Sequence, residues 1–191
     1  MLAATEQLML ERGSEDFTLQ EVSTVGSVSV GSIYLRFESK DNLVRAVIAS
    51  ELERVMCDED AMLAEVLAAA SSIDTFMPRF VESYSEVLRH HSPLLRIIMQ
   101  RAAQDPLVSE SGRRSAHRSE NAAVAAILSF KDEIGGDNAQ QRATATFHII
   151  FATLARQLSL GSTDESAGDL DWAELKIQLA EMCAAYLKKA G

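Results

Sequence analysis

The chain has 191 residues, 47% of them hydrophobic, and a net charge of −10; a chain of this size buries roughly 70% of its unfolded surface, enough for one full domain plus a small one. That negative charge argues against a nonspecific nucleic-acid coat, and no apolar run approaches the roughly 18 residues of a membrane span, so no membrane association is expected. Only Cys57 and Cys183 are present, with no close pairing and no secretory segment, so a reducing cytoplasm is the expected compartment.

The opening helix is expected from about Leu2 to Arg12, closed by Gly13, because a left-handed residue past a helix end costs glycine no side-chain clash. Residues 17 to 43 then hold three consecutive helix starts, each opened by a hydroxyl residue, and the middle helix can span only about two turns. Thr18 and Glu21 form a capping box, flanked by Phe17 and Val22 as a hydrophobic staple. Ser29 caps the next helix, with Val28 against Ile33. Ser39 caps the third, with Asp41 in the first turn where the helix dipole favours negative charge. Leu8, Phe17, Leu19, Val22, Val28, Ile33, Phe37, Leu43 and Val47 are the expected small core. A two-turn helix must be displayed by its neighbours, and Ser29, Gly31 and Ser32 keep its start free of bulk. The pattern reads as a helix-turn-helix that docks in a DNA groove.

The stretch from Phe17 to Leu43, above all Ser29-Val30-Gly31-Ser32-Ile33-Tyr34-Leu35-Arg36-Phe37 followed by Ser39-Lys40-Asp41-Asn42-Leu43, resembles the TetR-type transcriptional repressors. That resemblance implies an all-α homodimer: an N-terminal helix-turn-helix DNA-binding domain, residues 1–45, governed by a larger helical ligand-binding and dimerisation domain, residues 46–191. Carried over by position, Thr18, Ser29, Tyr34 and Lys40 would hold phosphates, with Arg36 on the same basic face. Val30, Ser32 and Leu35 would lie near base edges, and Gly31 would let the backbone approach the duplex.

Lys40 falls in a first helical turn, where free amides already attract an anion. For Tyr34 the alternative is a ring packed in the small core. An interior glycine such as Gly31 costs about 1 kcal/mol relative to alanine, which a two-turn helix should not carry without a reason. Gly26-Ser27-Val28 departs from the family's Ala-Gly-Val turn, so Ser27 is expected in the left-handed conformation. Met1 aligns inside the family's first helix, so a natural start further upstream, carrying the family's basic arm, is expected. Residues 1 to 45 hold four basic residues (Arg12, Arg36, Lys40, Arg45) and seven acidic ones, a net of −3. DNA binding must then rest on two or three cations per subunit, and a log K against log salt slope of magnitude about 4 to 5 is expected for a dimer.

Beyond Lys40 the periodicity is helical throughout. One long connector is expected from Ser39 to about Ala70, bent near Cys57 to Asp60, with a break at Ser71 to Asp74. Phe76, Phe80, Tyr84 and Leu88 recur in steps of four, Pro78 belonging near that helix's first turn. His90-His91-Ser92-Pro93 is expected to end this helix, and Leu94 to Ala103 to form another. A helix from about Leu107 to Phe130 follows, then the Gly135-Gly136 break.

The last two helices, near Asn138 to Leu160 and Leu170 to Lys189, carry apolar stripes of Ala143, Phe147, Ile150, Leu154 and Leu158, and of Trp172, Leu175, Leu179, Met182, Tyr186 and Leu187. Such stripes suit a core or a dimer contact, and a two-fold DNA reader needs its half-sites about 34 to 36 Å apart. Aromatic and methionine side chains line apolar cavities, so Phe76, Phe80, Tyr84, Met99, Phe147 and Phe151 are candidate contacts for a small-molecule effector, with Arg101, His117 or His148 as polar ones. Arg113, Arg114, His117 and Arg118 suit an anionic effector or a solvated face. The four histidines make no metal site by spacing, since adjacent His90 and His91 diverge on a helix, and no cofactor is expected. No serine elbow, phosphate loop or zinc signature points to an enzyme. The competing readings are a helical dimeric interaction protein without DNA binding and, further off, a helical-cavity enzyme.

Overall fold

The computed structural model describes residues 1–160 and 171–189. Among these residues the chain forms eight α-helices, one 3₁₀ turn at Lys131–Glu133 and no strand: α1 Leu2–Arg12, α2 Leu19–Gly26, α3 Val30–Phe37, α4 Lys40–Ala69, α5 Ile73–Ala102, α6 Pro106–Leu128, α7 Ala139–Gln157 and α8 Trp172–Lys188.

Local chemistry closes α1 and opens α2 and α3. Gly13 closes α1 at φ 61°. At α2 the capping box is complete: the Glu21 amide donates to Thr18 Oγ1 (3.2 Å) and the Thr18 amide to Glu21 Oε2 (2.7 Å). Ser27, at φ 50°, makes the left-handed turn after α2. Gly26 serves a different purpose, because a Cβ there would sit 3.2 Å from Ala4 Cβ; the glycine lets α1 and α2 pack closely. Ser29 then caps α3 by accepting from the Ser32 amide (3.0 Å). Leu8, Phe17, Val22, Ile33, Leu43 and Val47 are buried between these helices and the start of α4, with Leu19, Val28 and Phe37 partly buried around them.

The rest is a bundle of long helices around α5, which packs against α4, α6, α7 and α8. The connector α4 is one helix from Lys40 to Ala69. One sequence expectation is corrected here: α5 does not stop at Pro93 but runs unbroken for 30 residues. Pro93 has no amide to donate to the Arg89 carbonyl, and the Ser92 hydroxyl donates to that carbonyl instead, at 2.9 Å. Leu88, Leu94, Leu95, Ile97 and Ile98, buried on both sides of the proline, hold the helix together by packing.

The four-residue steps of α5 become an aromatic ladder. Phe76 stacks on Phe80, and Phe80 on Tyr84, each pair with ring centroids 5.4 Å apart; Phe147 of α7 meets Tyr84 at 5.8 Å. The expected stripe of α7 faces inward, with Leu158 at its end half-buried. Ala143, Phe147, Ile150 and Leu154 are buried in the chain's own core, while Ile149 is exposed. On α8, Leu179 and Leu187 are buried, and Ile177, Met182 and Tyr186 are exposed. The predicted helix start at Leu170 lies outside the described residues. No helix among them is long and apolar enough to cross a membrane.

Candidate nucleic-acid interface and effector cavity

The exposed side of α3 carries the residues expected to meet DNA. Ile33 points inward and is buried, whereas Leu35 is 89% exposed and Tyr34 53% exposed. Tyr34 is therefore not packed in the small core. Gly31, Ser32 and Arg36 are exposed beside them, and Val30 is half-buried. A Cβ at Gly31 would meet only the Ser29 hydroxyl, at 3.8 Å, so nothing within the protein requires glycine there.

The polar groups around this face are held in defined positions. The Ser29 and Ser32 hydroxyls lie 2.8 Å apart. The Thr18 hydroxyl is bonded to Glu21, whose carboxyl is drawn down to about 2 by the Thr18 amide first and then by the Arg12 guanidinium. Lys40 is half-buried: its ammonium donates to the Glu15 carbonyl at 2.6 Å and sits 4.4 Å from the Phe17 ring centroid. The ammonium has three N–H groups, and the Glu15 carbonyl takes one of them. Arg36 lies against the Phe37 ring at 5.5 Å. Arg12 pairs with Glu21, and Arg45 with Asp105 at 2.8 Å, so Arg36 and Lys40 are the cations left on this side.

A second feature is a cavity of about 430 Å³ between α4, α5, α6 and α7, with walls largely apolar. Of the expected effector contacts, Tyr84, Met99, Phe147 and Phe151 line it, as does His148. Phe76 and Phe80 lie deeper, with no exposed surface, and build the core behind the cavity wall. His117 is on the outer face of α6, 3.9 Å from Glu120. Sequence reasoning missed Glu59 and Ser119, which face the cavity and are joined by a 2.5 Å hydrogen bond. Burial pushes the Glu59 carboxyl up, opposed by the Ser119 hydrogen bond. It pushes the Tyr84 hydroxyl up as well. The signal for Glu59 was present: it occupies the apolar stripe that Leu52, Val55, Met62 and Leu63 mark on α4.

Arg101 is not in the cavity either. It lies between the cavity and the small N-terminal bundle, bonded to Glu15 (2.8 Å), Asp41 (2.8 Å) and Asp105 (3.0 Å). Asp105 also takes Arg45, which is the main reason its carboxyl is lowered to about 2. One guanidinium thus ties the end of α5 to the α1–α2 loop, the start of α4 and the cap of α6. Met99 and Ala102, on either side of it in sequence, line the cavity. Arg113 also lines it while pairing with Glu110 at 2.9 Å.

Residues 1–47 match the family model described as bacterial regulatory proteins, tetR family. No curated protein sequence matches the chain. Among solved structures, a protein of Mesorhizobium loti MAFF303099 assigned to the TetR family superposes with a TM-score of 0.76 at 16% identity, covering 97% of this chain and 92% of that one. GusR of Salmonella enterica gives 0.69 at 24% identity, covering 98% and 93%. A transcriptional regulator of Cytophaga hutchinsonii ATCC 33406 gives 0.69 at 16% identity, covering 98% and 96%. Residues 1–47 thus match the tetR-family model, and the chain takes the fold of solved structures described as TetR-family transcriptional regulators.

Proposed function

We propose that this protein is a ligand-responsive repressor that binds a palindromic operator as a homodimer in the cytoplasm and leaves it when a small molecule fills the cavity. Residues 1–45 read DNA, and residues 46–191 bind the effector and dimerise. The observation that carries this reading is the exposed end of α3, where Leu35 and Tyr34 stand in solvent beside an unconstrained glycine. Val30, Ser32 and Leu35 face the bases; Thr18, Ser29, Tyr34, Arg36 and Lys40 hold the backbone. A second copy of the chain covers Ile149 of α7 and Ile177, Met182 and Tyr186 of α8, apolar side chains left exposed on the two last helices.

Effector binding against Tyr84, Met99, Phe147 and Phe151 moves α5 relative to α4, and the Arg101 cluster passes that shift to the reading helices. A differential affinity of about 2 to 3 kcal/mol between the two states suffices for regulation. The test is selection of bound sequences from random duplexes with the full-length protein, followed by a screen for compounds that release the selected site. A two-fold symmetric site and at least one releasing compound are expected. A dimer that enriches no sequence would instead support a helical interaction protein.

A further inference from the structure

Asp58 on α4 and the adjacent His90 and His91 on α5 each offer one ligand atom to the same depression, and these atoms all lie within 4.8 Å of one another. Adjacent positions on a helix point in different directions, and it is the crossing of α4 over α5 that brings a carboxylate to both rings. The depression, of about 510 Å³, is also lined by Glu6 and Leu10 of α1 and by Cys57.

Behind the rings, Glu51 Oε1 lies 2.9 Å from Nδ1 of His91, a buried side chain. The other Glu51 oxygen pairs with Arg54 at 2.6 Å, and Arg54 reaches Glu6 of α1 at 2.8 Å. A neutral imidazole whose Nδ1–H is committed to a carboxylate presents its lone pair at Nε2. That Nε2 lies 2.9 Å from Asp58 Oδ2, itself an acceptor. Two acceptors at this distance require a proton or a metal cation between them. A carboxylate fixing the far nitrogen of a histidine is the usual outer support of a metal-bound imidazole.

We propose that Asp58, His90 and His91 form a binding site for a divalent transition ion of the zinc class, with Glu51 orienting His91. Two imidazole nitrogens and one carboxylate oxygen suit zinc and its neighbours in the series, whereas magnesium and calcium take oxygen ligands. Around tetrahedral zinc the donor atoms stand roughly 3.3 Å apart, so the widest gap closes through the exposed side chains of His90 and Asp58. The proton shared by His91 and Asp58 leaves to solvent as the ion enters. A fourth position stays open to water. The ion would sit where α1, α4 and α5 meet, joined through Glu51, Arg54 and Glu6 to the first helix of the DNA-reading end.

The test is calorimetric titration of the full-length, chelator-treated protein with zinc chloride, alongside thermal unfolding with and without zinc. One ion per chain, a raised unfolding temperature and no heat with magnesium chloride are expected. His90→Ala and Asp58→Asn change exposed residues, so circular dichroism should match the parent while zinc affinity falls about tenfold or more. Cys57→Ser should bind like the parent. The proposal is overturned by an absence of saturable zinc binding, by either ligand variant binding as tightly as the parent, or by loss of binding in Cys57→Ser.

Discussion

Arg101 near the end of α5 and Asp41 in the first turn of α4 are joined by a 2.8 Å charged hydrogen bond across 60 residues of sequence. The same guanidinium also holds Glu15 and Asp105, so one side chain binds the N-terminal helices to the helix that walls the cavity. Replacing Arg101 with Ala leaves three carboxylates facing one another without that cation. Urea unfolding of Arg101→Ala should show a loss of about 2 kcal/mol, below the cost of breaking a fully buried pair because the cluster is partly solvated. Loss of stability within error of the parent would remove the cluster from any structural role.

Acid should act on the same place. The Asp105 carboxyl is held at about 2 by Arg45 and then Arg101, below its ordinary value of 3.8. A folded-state value below the unfolded one means that the stabilisation is fully present above about pH 4 and is lost as the pH falls toward about 2. Unfolding temperature should therefore decline across that window, and Asp105→Asn, which keeps the side-chain oxygen that caps α6, should decline less. Parallel curves for the two proteins would contradict this assignment.

At Gly31 stability and function should move in opposite directions. There is room for a side chain within the protein, and alanine favours a helix over glycine by up to about 1 kcal/mol. Gly31→Ala should unfold at a higher temperature, and Gly31→Leu should remain a folded dimer while losing the selected operator in gel-shift assays. Full operator binding by Gly31→Leu would refute close docking of this backbone.

Glu38 carries backbone strain. Its φ is 64° and ψ −35°, and the Ser39 amide donates to the Phe37 carbonyl at 2.7 Å, a three-residue turn that side chains rarely adopt. Glycine relieves strain of about 1 to 3 kcal/mol and returns part of it as unfolded-state entropy. Glu38→Gly should stabilise the protein by about 1 kcal/mol in thermal or urea unfolding. A destabilised variant would indicate that the glutamate makes a compensating contact.

Salt should reveal how few cations read DNA. With Arg12 and Arg45 engaged by carboxylates, Arg36 and Lys40 remain on each subunit, and a dimer should give a log K against log salt slope of magnitude about 4. A slope near 10 in filter binding would place additional basic surface on the duplex.

Local chemistry was legible from residues alone. Thr18 with Glu21, Ser29 with Ser32 and Ser39 with Asn42 settle helix starts within a few residues of chain, so neither partner depends on the rest of the fold. The four-residue spacing from Phe76 to Tyr84 likewise placed one face of α5 inside. Pro93 misled because proline removes a single amide bond, whereas the burial of Leu88 through Ile98 acts over several turns, and the Ser92 hydroxyl replaces the missing donor.

What only the tertiary structure decided are the relationships between charges and rings far apart in the chain. Arg101 was an effector candidate until folding set it against Glu15, Asp41 and Asp105, and the histidine pair had no third ligand atom until α4 crossed α5 at Asp58. The exposed apolar residues of α7 and α8 fall partly outside the stripes visible in sequence, Ile149 and Ile177 beyond them and Met182 and Tyr186 within, because periodicity marks which residues are apolar but not which of two packed neighbours covers them. Backbone caps are decided within one turn of helix. Cavities, ion-pair clusters and uncovered faces are decided by how whole helices cross, which no short stretch of residues encodes.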